Sequence, residues 1–170
     1  MTEQKVKKTK FEIAVEEFLE GETLENAQYF ITQLRESKIS VTGATNGAWK
    51  IAHKGKGMGR VVWMEKNFWA VETYREETDE FESYIKRENL TEIMWRNIYQ
   101  CRLCNPAFCA PQAGKAVDTY TGFDRVFFGR KFENTCKHWR GGVFRTPNKE
   151  TIDCIKKVLE YKKRAIIADV

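Results

Sequence analysis

Proline is scarce in this 170-residue chain: there are three, and two of them, Pro106 and Pro111, fall close together. Histidine is scarcer, with His53 and His138 alone. A histidine-rich metal centre is thereby excluded, and no nucleophile–base motif is legible around either residue. Folding brings catalytic groups together from distant positions, so catalysis is left open, but binding is the more natural expectation. No apolar run approaches the ~20 residues that cross a bilayer. No secretory signal, internal repeat, low-complexity segment or interdomain linker stands out. The expected protein is therefore cytoplasmic, with one domain over residues 1–170 and a lysine-rich flexible tail over 1–9.

Cysteine is the exception to this sparseness. Four of the five lie in one stretch, Cys101-x2-Cys104-x4-Cys109, then 26 residues, then Cys136-x-His138. Zinc takes four ligands in a tetrahedron, and thiolates suit it. A tight turn lets Cys101 and Cys104 reach one ion, Cys109 follows, and Cys136 closes the site from afar, with His138 as the alternative fourth ligand. Three other readings compete: buried free thiols, disulfides, and a redox pair at Cys101 and Cys104. A reducing compartment disfavours disulfides. A reactive pair gains from a helix N-terminus, whereas a helix predicted over 91–102 puts this pair at a C-terminus. Structural zinc, bracing the irregular loop within 101–138, is the expectation the spacing favours. Cys154 falls off the apolar stripe of its own helix and is not expected to be a ligand.

Charge is uneven along the chain. Residues 1–10 carry four lysines and one glutamate; residues 11–99 carry 11 basic and 16 acidic side chains; residues 100–170 carry 14 basic and 7 acidic. The cysteine-bearing half is the basic half, which suits an anionic partner or a solvated surface balancing an acidic neighbour.

Periodicity predicts an α+β fold. Phe11, Ala14, Val15, Phe18 and Leu19 share a helical face that Gly21 ends, and Leu24, Ala27, Ile31 and Leu34 form a second stripe behind a Thr23 cap. Trp49–Lys54, Arg60–Met64 and Phe68–Tyr74 read as a three-stranded antiparallel meander, with Gly55-Lys56-Gly57-Met58-Gly59 as a turn or loop and a second turn near Lys66-Asn67. The three glycines are not a phosphate loop, because no helix opens after them. Thr78 and Thr91 are expected to cap two further helices. Later strands are expected at Arg125–Phe128 and Gly142–Arg145. Thr146-Pro147 is expected to start a last helix buried through Ile152, Ile155, Val158 and Leu159. The predicted architecture is an antiparallel sheet covered by N- and C-terminal helices, with a cysteine-pinned loop.

Two ligand surfaces follow. Trp49, Trp63, Trp69, Tyr74 and Trp95 could line an aromatic pocket, with Glu72 holding a small aromatic or cationic ligand by charge and cation–π contact. Glu72 alternates to the side opposite Trp69. The helix followed by Gly47-Ala48-Trp49-Lys50-Ile51, the hairpin Val61-Val62-Trp63-Met64 to Phe68-Trp69-Ala70-Val71, and late helices resemble small bacterial α+β proteins, some similar to GyrI-like ligand-binding domains. The resemblance covers residues 24–100, implies a binding role, and transfers no site residue. The second surface is a basic aromatic stretch over residues 125–145. Arg125, Arg130, Lys131, Lys137, Arg140 and Arg145 face one acid, Glu133, and are interleaved with Phe127, Phe128, Phe132, Trp139 and Phe144. Cations that neutralise phosphates and rings that stack on bases make a zinc-braced nucleic-acid module the alternative to a small-molecule binding module, which is the first expectation.

Overall fold

A computed structural model describes residues 10–43, 48–74, 78–99, 122–135 and 142–168, apart from the side chains of residues 63–65. In chain order the elements are α1 (Lys10–Phe18), α2 (Gly21–Glu36), β1 (Ser40–Gly43), β2 (Trp49–His53), β3 (Lys56–Glu65), β4 (Phe68–Thr73), α3 (Asp79–Arg87), α4 (Thr91–Arg96), β5 (Phe123–Phe127), β6 (Arg130–Thr135), β7 (Val143–Arg145) and α5 (Lys149–Ala168). They gather into two compact units: residues 1–73 with 144–170, and residues 74–143.

The first unit is the predicted α+β core. Its sheet has the order β1-β2-β3-β4-β7, and β1 to β4 form an antiparallel meander. Trp49, Trp63 and Trp69 stand on three successive strands of it. The β3–β4 turn falls at Lys66-Asn67, where Asn67 takes the left-handed φ of 57° that asparagine tolerates well. The turn is tied back to the helical layer. Asn67 N donates to Phe18 O at 2.7 Å, and Glu20 N donates to Asn67 Oδ1 at 3.4 Å. The glycine stretch is mostly strand. Only Lys54 and Gly55, with φ of 47° and 80°, make the β2–β3 turn, and Lys56 already pairs with His53. Two adjacent left-handed residues match the twist of the flanking strands, so two residues suffice where a longer loop was expected.

The register puts Trp49, Val61 and Val71 in one row on the helical face of the sheet. Trp69, two residues before Val71, faces the same way. Phe11 of α1 meets Trp49 and Phe30 of α2 meets Trp69, each at 5.5 Å between ring centroids. Helix α5 buries Ile152, Ile155, Val158 and Leu159 completely. Each such side chain contributes roughly 1.5–3 kcal/mol by leaving water. Polar contacts fix α5 on α2. Tyr29 donates to Asp153 at 2.7 Å, Ser37 to Glu160 at 2.8 Å, and Lys156 to Gln33 at 2.7 Å.

Several local expectations need correction. Phe18 is exposed, and Phe30 replaces Leu24 in the buried stripe of α2. Helix α2 begins at Gly21, and Glu20 occupies its cap position without a side-chain bond. Thr91 is the first residue of α4 rather than its cap. The α5 cap is Asn148, whose Oδ1 accepts from Thr151 N at 2.9 Å. Thr146 instead turns left-handed and donates its N–H to Trp69 O. Cys154 is 1% exposed, so the thiol off the expected stripe is nonetheless packed in the core.

In the second unit, Thr78 caps α3 as expected by accepting from Phe81 N, and Phe81, Tyr84 and Ile85 turn inward. Helix α4 stops at Arg96, well short of Cys101. Asn97 closes it by donating its side-chain amide to Ile93 O, and Ile98 forms a β-bridge with Gly142. The expected helix over 91–102 is thus cut short by an asparagine at its C-cap. With α4 ending at Arg96, its C-terminal dipole gives no ground for disfavouring a redox pair at Cys101 and Cys104. Strand β5 does not join the main sheet. It pairs with β6, an unexpected strand, as a separate two-stranded hairpin.

Candidate nucleic-acid interface

Hairpin β5–β6 turns through Phe128 and Gly129, whose φ values are 51° and 81°. This is the two-residue, doubly left-handed geometry that favours Asn-Gly or Asp-Gly. A bulky residue at φ 51° is uncommon, and Phe128 is held there by an edge contact with Phe81, at 6.2 Å between centroids.

Cross-strand register assigns the two faces. Arg125 pairs with Phe132, and Phe127 with Arg130, so these four share one face. Val126 pairs with Lys131 on the other. The first face adjoins α4: Trp95 Nε1 donates to Phe127 O at 2.8 Å. Phe127 is buried and meets Phe132 edge-on at 5.8 Å. The exposed Arg130 guanidinium lies 5.4 Å from the Trp95 ring centroid and 5.2 Å from that of Phe132. Arg125 lies over Phe123 at 5.8 Å, and Phe123 is 45% exposed.

Charge is divided between the faces. Lys131 binds Asp124 at 3.0 Å and approaches Glu133 at 3.8 Å. The Lys131 hydrogen bond holds the Asp124 carboxyl below its usual range, and the same bond holds the lysine above its own. That side therefore carries one cation against two carboxylates. Among the described residues, neither Arg125 nor Arg130 forms an ion pair with a carboxylate, and the buried Nη1 of Arg125 has no hydrogen-bond partner. Among the described residues, rings rather than carboxylates lie against these guanidinium groups.

Other members of the basic aromatic stretch do different work. Phe144 is wholly buried in the first unit, and Arg145 is exposed there. Lys137, Trp139 and Arg140 lie outside the described residues.

The residues expected to line an aromatic pocket divide between the units. Trp49, Trp69 and Glu72 belong to the first, and Tyr74 and Trp95 to the second. The Trp63 side chain lies outside the described residues. Trp69 is fully buried against Phe30, and its Nε1 has no partner among the described residues. Glu72 lies on the opposite face of the sheet, 4% exposed, and accepts from Arg60 Nε at 2.5 Å. Burial pushes its carboxyl up, and Arg60 pulls it partly back. A groove of about 240 Å³ does open between α1 and α2, lined by Glu12, Val15, Gln28, Ile31 and Arg35 among others. It contains none of the expected pocket residues, and its Glu12 and Arg35 pair with each other.

Cys101, Cys104, Cys109, Cys136 and His138 lie outside the described residues, and no three potential ligands cluster as a metal site among those described. The chain is anchored where the cysteine segment departs and returns. Ile98 bridges Gly142, Asn97 O accepts from Val143 N at 2.9 Å, and Thr135 Oγ1 donates to Phe123 O at 2.6 Å.

Fold and surface together define an α+β chain with a meander core and a basic aromatic hairpin. No protein-family model, curated protein or solved structure matches it. Among the described residues, no helix is long and apolar enough to cross a membrane.

Proposed function

We propose that this chain is a binding module for single-stranded nucleic acid, that the Arg125–Arg130 face of hairpin β5–β6 makes the contact, and that a structural zinc braces the adjoining loop. The observation that carries the reading is the pairing of both arginines, among the described residues, with rings rather than carboxylates. Such cations are available to phosphate, and the exposed rim at Phe123 offers a stacking plane. Zinc, held by Cys101, Cys104, Cys109 and Cys136, with His138 as the alternative fourth ligand, would fix the segment between α4 and β6. The small-molecule reading built on Trp49, Trp63, Trp69, Glu72, Tyr74 and Trp95 stands behind this one. Trp69 is committed to the core and Glu72 to Arg60.

The test is fluorescence anisotropy of a labelled single-stranded oligonucleotide titrated with the full chain at several salt concentrations. Affinity should fall steeply with salt, by a log–log slope of about −0.7 for each phosphate neutralised. Absence of binding at low salt, or binding indifferent to salt, would remove the proposal.

A further inference from the structure

The two guanidinium groups do not converge on one point. Arg125 stands directly across from Phe132, yet its guanidinium leans on Phe123, farther from the hairpin turn. Arg130, next to the turn, leans back over Phe132 and Trp95. Their positions are diagonal neighbours on one face, with Cα atoms about 7–8 Å apart by sheet geometry. Cations and rings therefore follow one another along the ribbon, each arginine held at its own station. Arg125 is half-buried, with its Nη1 covered, so only the outer side of its guanidinium can meet a ligand, whereas Arg130 is exposed. The acids of the hairpin, Asp124 and Glu133, are engaged by Lys131 on the other face, so this line of positive charge is uninterrupted by them.

Resting on the nucleic-acid reading above, we infer that a single strand runs along the hairpin axis, with Arg130 and Arg125 each taking a different phosphate and Phe123 taking one base. A guanidinium fork matches two phosphate oxygens, so one arginine per phosphate is sufficient. Rings beneath the arginines limit their sideways movement, which favours separate contacts over a shared one. The exposed Phe123 ring stands at the outer end of this line, where a base could stack without choosing among the four.

The experiment compares salt slopes for the wild-type chain, Arg125→Gln, Arg130→Gln, the double variant and Phe123→Leu, using the same labelled oligonucleotide. Each single arginine variant should lose about 0.7 from the magnitude of the log–log slope, and the double variant about 1.4. Phe123→Leu should weaken binding roughly tenfold with its slope unchanged. Arg125→Lys and Arg130→Lys should keep the wild-type slope, which separates lost charge from a damaged hairpin. If the double variant loses no more than either single one, the arginines share a phosphate and the two-station track is wrong. Wild-type binding with a normal salt slope that none of the variants alters would also overturn the track, while leaving the nucleic-acid reading in place. No salt-dependent binding by the wild-type chain would overturn both.

Discussion

Arg60 and Glu72 stand opposite each other on β3 and β4, and Arg60 Nε donates to Glu72 Oε2 at 2.5 Å. The pair is lopsided: the Arg60 side chain is 37% exposed and that of Glu72 only 5%. Water can still reach the cation, whereas the carboxylate depends on its partner. Burial raises the Glu72 pKa, and the nearby guanidinium partly offsets that rise.

Removing the arginine should therefore cost more than removing the acid. Arg60→Met leaves a buried carboxylate without this cation and should destabilise the chain by about 3 kcal/mol at neutral pH. Glu72→Gln should cost clearly less. The sign of the pH dependence follows from the raised folded-state pKa. Folded Glu72 binds its proton more tightly than in the unfolded chain, so its contribution is most favourable below the unfolded value and is lost as pH rises through the folded one. The deficit of Arg60→Met should shrink as pH falls from 8 towards 5. Urea unfolding across that range checks it, and a deficit that grows on acidification would contradict the assignment.

Gly59→Ala should destabilise the first unit by about 1–3 kcal/mol. A Cβ at Gly59 would collide with Glu72 O, a contact with backbone that no rotamer change relieves. Gly55→Ala tests a different mechanism. There is open space around that position, but its φ of 80° is unfavourable for alanine. Its cost should be about 1 kcal/mol, carried by strain alone. Thermal melts of the two variants separate collision from conformation.

Cys154 should resist alkylation in the folded chain. Burial pushes its thiol up to about 12, so almost none is thiolate near neutrality. Peptide mapping after iodoacetamide treatment should find Cys154 unmodified in native protein and modified in urea. Rapid native labelling would show that α5 opens far more readily than its packing implies.

The metal proposal is tested by elemental analysis of protein purified without chelator. About one equivalent of zinc is expected, and less than about a tenth would end the proposal. Cys109→Ser and Cys136→Ser should lower zinc content, and Cys154→Ser should leave it unchanged. Chelation at neutral pH should raise amide exchange between residues 103 and 136 before it affects the meander. An exchange increase that begins in β2–β4 instead would contradict a local brace.

The core was legible because its signals are physical and local. Alternation around Lys66-Asn67 specified the meander, and the spacing of Ile152, Ile155, Val158 and Leu159 specified the buried face of α5. Helix ends were less legible. Thr23, Thr91 and Thr146 each have the chemistry of a cap, but capping depends on where the preceding backbone arrives. Hairpin β5–β6 was only half read, because its turn uses Phe128 where asparagine would have announced it. The two-faced charge of that hairpin could not be seen in composition at all. Arg125, Arg130 and Lys131 look alike in a list of cations, and only the register turns Lys131 towards Asp124 and Glu133. For the pocket residues, the sequence offered aromaticity but no measure of commitment, and Trp69 proved to be spent on Phe30.

The sheet order has a consequence for how the chain can be divided. Residues 74–143 leave the first unit at the end of β4 and re-enter it at β7, and those two strands are neighbours in the sheet. The second unit is thus an insert between adjoining rungs of a ladder. Excising residues 74–142, which leaves β7 whole, and rejoining β4 to β7 with a short turn should preserve the hydrogen-bond partners of β1 to β4 and the seat of α5. A chain cut in this way would keep its scaffold and shed the whole proposed contact surface in one step.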